Sequence, residues 1–247
     1  IADTGLIFGA CCLLTPIPLQ PTIVNRQGWW QFGAGIVLAI VCYTLYALYG
    51  EDAAVGRAIG VVFLVALAVY LYLSVKWVDS SESEEAATTS GSVGKLLVGV
   101  FISLAIVIFA SRFLICSAIE AAERFEVPKA VIASTLVALG TSVPELVVGI
   151  KSVIKKTPGL LVGNVIGADV LNVLFVTGAA AVAAPLELDA AFLYLALPTM
   201  LGILILFRIF IFVAMKPREF SRWMGVPMVA IYVGYIVLCY VLDVSAH

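Results

Sequence analysis

The stretch ALGTSVPELVVGIKSVIKK, residues 138–156, puts Thr141, Ser142 and Glu145 inside an otherwise lipid-soluble segment, with Pro144 among them. Thr141 and Glu145 are four residues apart, and Ser142 and Glu145 three, so on a helix all three oxygens share one side. Pro144 has no N–H to donate to the carbonyl of Gly140, and Gly140 is expected to loosen the same turn. Freed carbonyls, two hydroxyls and a carboxylate make an all-oxygen cluster of the kind that hard cations such as Ca²⁺ and Na⁺ prefer. Leaving Glu145 ionised in hydrocarbon costs about 3 kcal/mol on insertion scales. It must therefore be paired, protonated or facing a wet cavity. The plainer reading is an ion pair with Arg112, or a protonated Glu145 donating to a carbonyl.

The surrounding chain is a membrane protein. Of its 247 residues 63% are apolar and 12% charged, with a mean hydropathy of +1.13. Apolar runs long enough to cross a bilayer, about 20 residues each, fall near 32–50, 58–77, 95–119, 129–153, 160–184, 190–214 and 224–243. The runs are continuous rather than alternating, which predicts an all-α polytopic membrane protein and disfavours a β-barrel. A shorter apolar stretch, 4–19, reads as the end of a helix, so the chain is expected to be a fragment. The net charge of −2 argues against nucleic acid as a partner. The cysteines, Cys11, Cys12, Cys42, Cys116 and Cys239, lack ligand-like spacing, and the sole histidine is His247.

Lysine and arginine gather on one side of the expected spans: Arg26, Lys76, Lys95, Lys151, Lys155, Lys156, Arg208, Lys216, Arg218 and Arg222. The positive-inside rule makes that side cytoplasmic. The polar stretch DSSESEEAATTSGS, 79–92, lies there and reads as a flexible connector. Its acidic residues Glu82, Glu84 and Glu85 form at most a weak cation site. The expected organisation is therefore 1–78, a linker at 79–94, and 95–247.

A weak repeat supports two related halves. At an offset of 169 residues, GACCLLTPIPL (9–19) matches GAAAVAAPLEL (178–188) at Gly9/Gly178, Ala10/Ala179, Pro16/Pro185 and Leu19/Leu188, and Asp3 falls on Asn172. The two stretches lie an odd number of segments apart and so run through the membrane in opposite senses. That is the pattern of an inverted repeat, which places substrate sites at mid-depth.

The span after the opening motif carries GNVIGADVLNVLFVTG, 163–178. Asn164, Ala168 and Asn172 are spaced by four and form one stripe, with Gly163 and Gly167 beside it and Asp169 one position away. Small residues at such a stripe let helix backbones approach closely. Asn172 is expected level with the Thr141–Glu145 cluster. Thr177 reads as a packing residue.

ALGTSVPEL followed by GNVIGADVLN resembles the second α-repeat of the cation/Ca²⁺ exchanger superfamily, which includes the Na⁺/Ca²⁺ exchangers. The resemblance implies an inverted-repeat fold of five plus five helices, of which this chain holds the end of helix three and seven full spans. It implies cation ligation by the side chains of Thr141, Ser142, Glu145, Asn172 and Asp3 and by the backbone carbonyl of Ala138. Asn164, Asp169 and Gly140 are secondary candidates. Ala168 stands where the family usually has serine and Asp169 where it usually has asparagine, which leaves the coupling ion and stoichiometry open. A first GTSxPE-like motif is expected on N-terminal helices 1–3 outside this chain.

The function so implied is antiport of Ca²⁺ against Na⁺ in a lipid bilayer, expected to be a prokaryotic inner membrane, with transported ions and no cofactor. The alternative is H⁺-coupled exchange, with Glu145 or Asp169 taking up the proton; a remoter one is a non-transporting membrane scaffold. An enzyme using Ser142 as nucleophile is disfavoured, because the membrane holds no histidine or lysine to act as base.

Overall fold

The computed structural model describes residues 1–19, 21–79, 93–124, 138–155 and 158–245. Among these the chain is helical throughout, apart from four two-residue strands in the connections. Helix α1 (Ala2–Leu14) leads to strand β1 (Ile17–Pro18), α2 (Pro21–Tyr49), β2 (Ala54–Val55), α3 (Arg57–Asp79) and α4 (Val93–Arg124). Two short helices follow, α5 (Ala138–Thr141) and α6 (Val143–Ile154). The chain ends with α7 (158–183), β3 (Leu186–Glu187), α8 (Phe192–Met215), β4 (Glu219–Phe220) and α9 (Gly225–Ser245).

Among the described residues six helices are long and apolar enough to cross a membrane: Val24–Asp52, Arg57–Trp77, Phe101–Ala121, Leu160–Ala183, Phe192–Met215 and Arg222–Leu242. The seventh expected span, 129–153, begins outside the described residues, and its described part is the broken pair α5 and α6. The linker 79–92 lies outside them too, apart from Asp79.

Proline and glycine set the element ends. Pro21 and Pro158 open α2 and α7, where a missing N–H costs nothing. Gly50, at φ +60°, turns the chain out of α2. The expected span at 32–50 starts eleven residues later than α2 itself (21–49). Apolar periodicity fades across Asn25 and Gln31, but both residues find polar partners inside the fold, so the helix continues through them.

Helix α7 runs through the middle and serves two cores. Its first half packs Leu161, Val165 and Ile166 with α1, α9 and the second half of α8. Its second half packs Val170, Leu174 and Ala181 with α2, α3 and the start of α8.

The two ends of the chain mirror one another. The offset that carries Gly9 onto Gly178 also carries β1 onto β3, and a slightly shorter one carries β2 onto β4. The pairing follows: β1 runs antiparallel to β4 with Ile17 opposite Phe220, and β2 antiparallel to β3 with Ala54 opposite Glu187. Leu19 N–H donates to the Arg218 carbonyl at 2.8 Å, and Leu188 N–H to the Ala53 carbonyl at 3.0 Å. Both α1 and α7 stop before a proline, at Thr15 and Ala184, each in extended backbone. Both also contain a π-helical stretch, Ala2–Phe8 and Asn172–Val176.

Glycine contacts repeat in the same way. A Cβ on Gly60 would meet the Gly178 carbonyl oxygen at 2.7 Å, and one on Gly225 would meet that of Gly9 at 2.4 Å. Backbone thus lies on backbone where α3 crosses α7 and where α9 crosses α1. Gly163 and Gly167, expected to be close-approach positions, meet nothing within 4 Å. Gly60→Ala and Gly225→Ala should each destabilise by about 1–3 kcal/mol through overpacking that backbone cannot relieve. Gly33→Ala, with nothing within 4 Å, should be neutral or slightly stabilising. Melting temperatures of the purified protein in detergent check the contrast.

Candidate cation site

Asp3 lies in the π-helical stretch of α1 and Asn172 in that of α7. A π turn inserts one residue into the helical register and is frequent at functional sites. Here Asp3, in the first turn of α1, meets Asn172, midway along α7. Asn172 Nδ2 donates to Asp3 Oδ2 at 2.9 Å. Asp3 is 3% exposed, and its Oδ1 is buried with no hydrogen-bond partner among the described residues.

Glu145 approaches from α6. Its Oε2 is likewise buried without a partner among the described residues, and the two carboxylates act on one another electrostatically. Glu145 makes no ion pair with Arg112; the ion pair among the described residues joins Arg124 to Glu120 at 2.6 Å. The plainer reading of Glu145, as half of a structural salt bridge, is set aside.

The chain breaks at Ser142 (φ −90°, ψ 2°), and α6 restarts behind it with Pro144 in its first turn. The expected loosened helix is therefore a full interruption, with Ser142 buried at the joint. Gly140 does something other than loosen a turn. A Cβ there would lie 2.1 Å from Ile115, so it lets α4 close against the break. Ala138 begins α5 on the far side of the joint. Thr141 is exposed and lines a groove of about 400 Å³ with Arg112, Ile115 and Pro144. Of the three oxygens expected on one face, Ser142 and Glu145 are buried or half-buried and Thr141 opens to the groove.

Helix α7 holds the other residues of the stripe. Asn164 Nδ2 donates to the backbone carbonyl of Glu145 at 3.4 Å, fixing α6 to α7 next to the carboxylate. Ala168 is buried beside it. Thr177 Oγ1 donates to the Asn172 carbonyl at 3.2 Å, capping the π turn rather than packing against lipid.

Asp169 turns the other way, towards α1 and α2. It accepts a hydrogen bond from Thr4 Oγ1 and one from Gln31 Nε2 at 2.5 Å, both on Oδ2. Gln31 Nε2 also donates to Thr4 Oγ1 at 3.2 Å. Asp3 is a charged group that acts on Asp169. Sequence reasoning missed Thr4 and Gln31. Thr4 adjoins Asp3, and Gln31 was left just outside the expected span, which hid an intramembrane amide.

Arg208 also departs from expectation. Counted with the cytoplasmic charges, it is buried on α8, its guanidinium 4.0 Å from the Trp29 ring centre and 4.7 Å from that of Phe212. It donates to Asn25 Oδ1 at 2.5 Å and to the Asn25 carbonyl at 3.4 Å. Tyr43 OH donates to the Leu193 carbonyl at 2.9 Å at the mirror-related place on α2. Each ties one of these helices to the start of the other.

Carboxylates gathered with amides on interrupted helices make an oxygen-rich cluster inside a bundle of apolar helices. Residues 95–241 match the sodium/calcium exchanger protein family, and the chain belongs to that family. It is 28% identical over 199 residues to the putative antiporter CaxA of Alkalimonas amylolytica, covering 77% of this chain and 60% of that protein. It is 31% identical over 150 residues to the sodium/calcium exchanger MaX1 of Methanosarcina acetivorans, covering 61% of this chain and 42% of that protein. The chain thus spans about half the length of these relatives. The fold is similar to that of the sodium–calcium exchanger NCX_Mj, soaked with Na⁺ and Sr²⁺, with a TM-score of 0.74 over 96% of this chain and 72% of that one at 24% identity. The chain is thus an integral membrane protein of this family, and nothing in that membership favours the reading of Ser142 as a nucleophile.

The Asp3–Asn172 contact generates a direct test. Asn172→Asp sets two carboxylates against one another and should lower stability in chelator by about 1–3 kcal/mol. Added Ca²⁺ should then raise the melting temperature by more than it does in the parent protein. A variant that melts like the parent with and without Ca²⁺ would show that the two side chains do not share a charge site.

Proposed function

We propose that the chain carries out secondary antiport of Ca²⁺ against Na⁺, using an oxygen-ligand site at mid-depth made by Asp3, Asn172, Ser142, Glu145, Thr141 and the Ala138 carbonyl. The observation that carries this reading is the pair of buried carboxylate oxygens without hydrogen-bond partners among the described residues, Oδ1 of Asp3 and Oε2 of Glu145, on two different helices. Unpaired carboxylate oxygens in a membrane interior are costly. A divalent cation bound between them removes that cost with ligands of the type it prefers. The two residues belong, on this reading, to inverted halves divided at 1–78, 79–94 and 95–247, with the linker cytoplasmic and the protein in a prokaryotic inner membrane. The mirrored strand pairs, glycine contacts and π turns support that division.

Exchange rather than leak follows from the charge. Bare carboxylates resist entering a closed, low-dielectric state, so the site changes sides only when Ca²⁺ or Na⁺ neutralises it. Thr141, on the groove beside α4, lies where ligands would meet a path to the site. The family relationship to a protein named as a sodium/calcium exchanger supports Na⁺ as the counter-ion.

Uptake of labelled Ca²⁺ into vesicles containing the full-length protein, against imposed Na⁺ and pH gradients, tests the reading. Uptake should follow the Na⁺ gradient. Uptake that ignores Na⁺ and collapses with the pH gradient would replace it with H⁺-coupled exchange. Glu145→Gln should lower Ca²⁺ flux by about a hundredfold, as expected for losing about 3 kcal/mol of charge-assisted binding, while the protein still folds.

A further inference from the structure

We propose that the groove between α2 and α3 holds one acyl chain of a phospholipid whose anionic headgroup sits on Arg26 and Lys76. The proposal concerns lipid binding and stands apart from the antiport reading.

The groove follows from the sizes of the side chains along two antiparallel helices. Trp30 of α2 faces Tyr70 of α3 with ring centres 5.7 Å apart, and these rings prop the helices open. Next to them Gly33 and Ala34 of α2 lie opposite Ala66 of α3, all too small to fill the space. Further along, α3 is drawn onto α7, where a Cβ on Gly60 would meet the Gly178 carbonyl oxygen at 2.7 Å. The result is an apolar cleft of about 340 Å³, a size found among ligand-binding clefts. Its floor is Leu174, in the π-helical stretch of α7 that also carries Asn172. A Cβ on Gly33 would meet nothing within 4 Å, so the cleft is open beside it. Trp29 and Val62 at the mouth are exposed, so the cleft faces outward from the bundle.

One end of the cleft carries positive charge. Arg26 lies one turn before Trp30, its guanidinium 5.9 Å from the ring centre of Trp77 on α3, and Lys76 is the next residue along. Both basic side chains are exposed. Arg208 stands behind the mouth, 4.0 Å from the Trp29 ring, and its hydrogen bonds among the described residues go to the neutral Asn25.

Length and charge together select the occupant. From Arg26 to Val37 the helix rises roughly 16 Å at 1.5 Å per residue, about half of a ~30 Å hydrocarbon core. That is the depth of one leaflet, so a headgroup at Arg26 and a chain in the cleft belong to one lipid. The basic end lies on the side that the positive-inside rule makes cytoplasmic, and anionic lipids concentrate in that leaflet. Indoles stand between the two parts of the lipid, at the level where tryptophan is enriched. A neutral lipid fills the cleft but leaves the charge unmatched. Each Lys or Arg close to an anionic headgroup favours it by about fivefold.

Quenching of tryptophan fluorescence by lipids brominated along the acyl chain tests the proposal, because bromine quenches an indole only at close range. The full-length protein is placed in phosphatidylcholine vesicles, into which brominated phosphatidylglycerol or brominated phosphatidylcholine is titrated. Half-maximal quenching should need about tenfold less of the phosphatidylglycerol. Gly33→Phe, which fills the cleft, should remove that difference, whereas Gly33→Ala should keep it. Arg26→Gln combined with Lys76→Gln should remove it with the cleft left open. Melting in detergent verifies that each variant folds, and Gly33→Leu takes the place of Gly33→Phe if the ring does not fit. Equal quenching by the two lipids in the parent protein overturns the proposal, whether the cleft takes any lipid or is filled by another segment of the protein. A difference that survives in the folded cleft-filling variant, or in the variant lacking both basic residues, overturns it as well.

Discussion

The hydrogen bond from Asn172 to Asp3 joins two helices inside an apolar bundle, where a charge is hard to keep. A carboxylate in that setting needs donors, a counter-charge or water, and Asn172 supplies a donor to only one of its oxygens. The other oxygen, and the unpartnered oxygen of Glu145, define the chemistry of the centre. Much of the surrounding structure can be understood as what it takes to hold these groups together in a bilayer. The π turns aim Asp3 and Asn172, Asn164 fixes the backbone of Glu145, and the break at Ser142 brings polar backbone to the same level.

The framework that holds this contact is built twice. At one end of α2 β1 pairs with β4, and at its other end β2 pairs with β3. Close backbone contacts at Gly9–Gly225 and Gly60–Gly178 lock α9 onto α1 and α3 onto α7. Where hydrophobic burial gives no drive for helices to associate, as in lipid, close packing and hydrogen bonds do that work. The ties from Arg208 to Asn25 and from Tyr43 to Leu193 add polar contacts near opposite ends of α2 and α8. Helix α4 stands apart from this frame and meets α5 and α6 at the broken segment.

Sequence reasoning reached the centre well where a residue type was anomalous for its surroundings. Glu145 in an oily helix and Asn172 in a small-residue stripe were visible as polar residues at mid-span, and Asp3 by its matching repeat position. It failed where meaning depended on a partner. Gln31 looked like the polar edge of a span because nothing in its neighbours announces Thr4 and Asp169. Arg208 looked like a loop cation because its aromatic and amide partners lie some 180 residues away in the chain. Gly163 and Gly167 looked like a packing stripe, yet the glycines that carry the close approaches sit in stretches whose pairing only the fold reveals.

The amino-acid sequence by itself determined that the chain lies in a membrane, that its helices are continuous apolar runs, and that a carboxylate with hydroxyls beside a proline interrupts one of them. Those conclusions need only hydropathy, helical spacing and the cost of charge in hydrocarbon, which are local properties. The tertiary structure decided which carboxylate oxygens lack partners, that Thr141 opens to a groove while Ser142 is buried, and that Asp169 faces Thr4 and Gln31 instead of Glu145. Adjacent residues on α7 point to different neighbours because successive helical positions are rotated by about 100°. Only the packing of helices around α7 says what each direction meets.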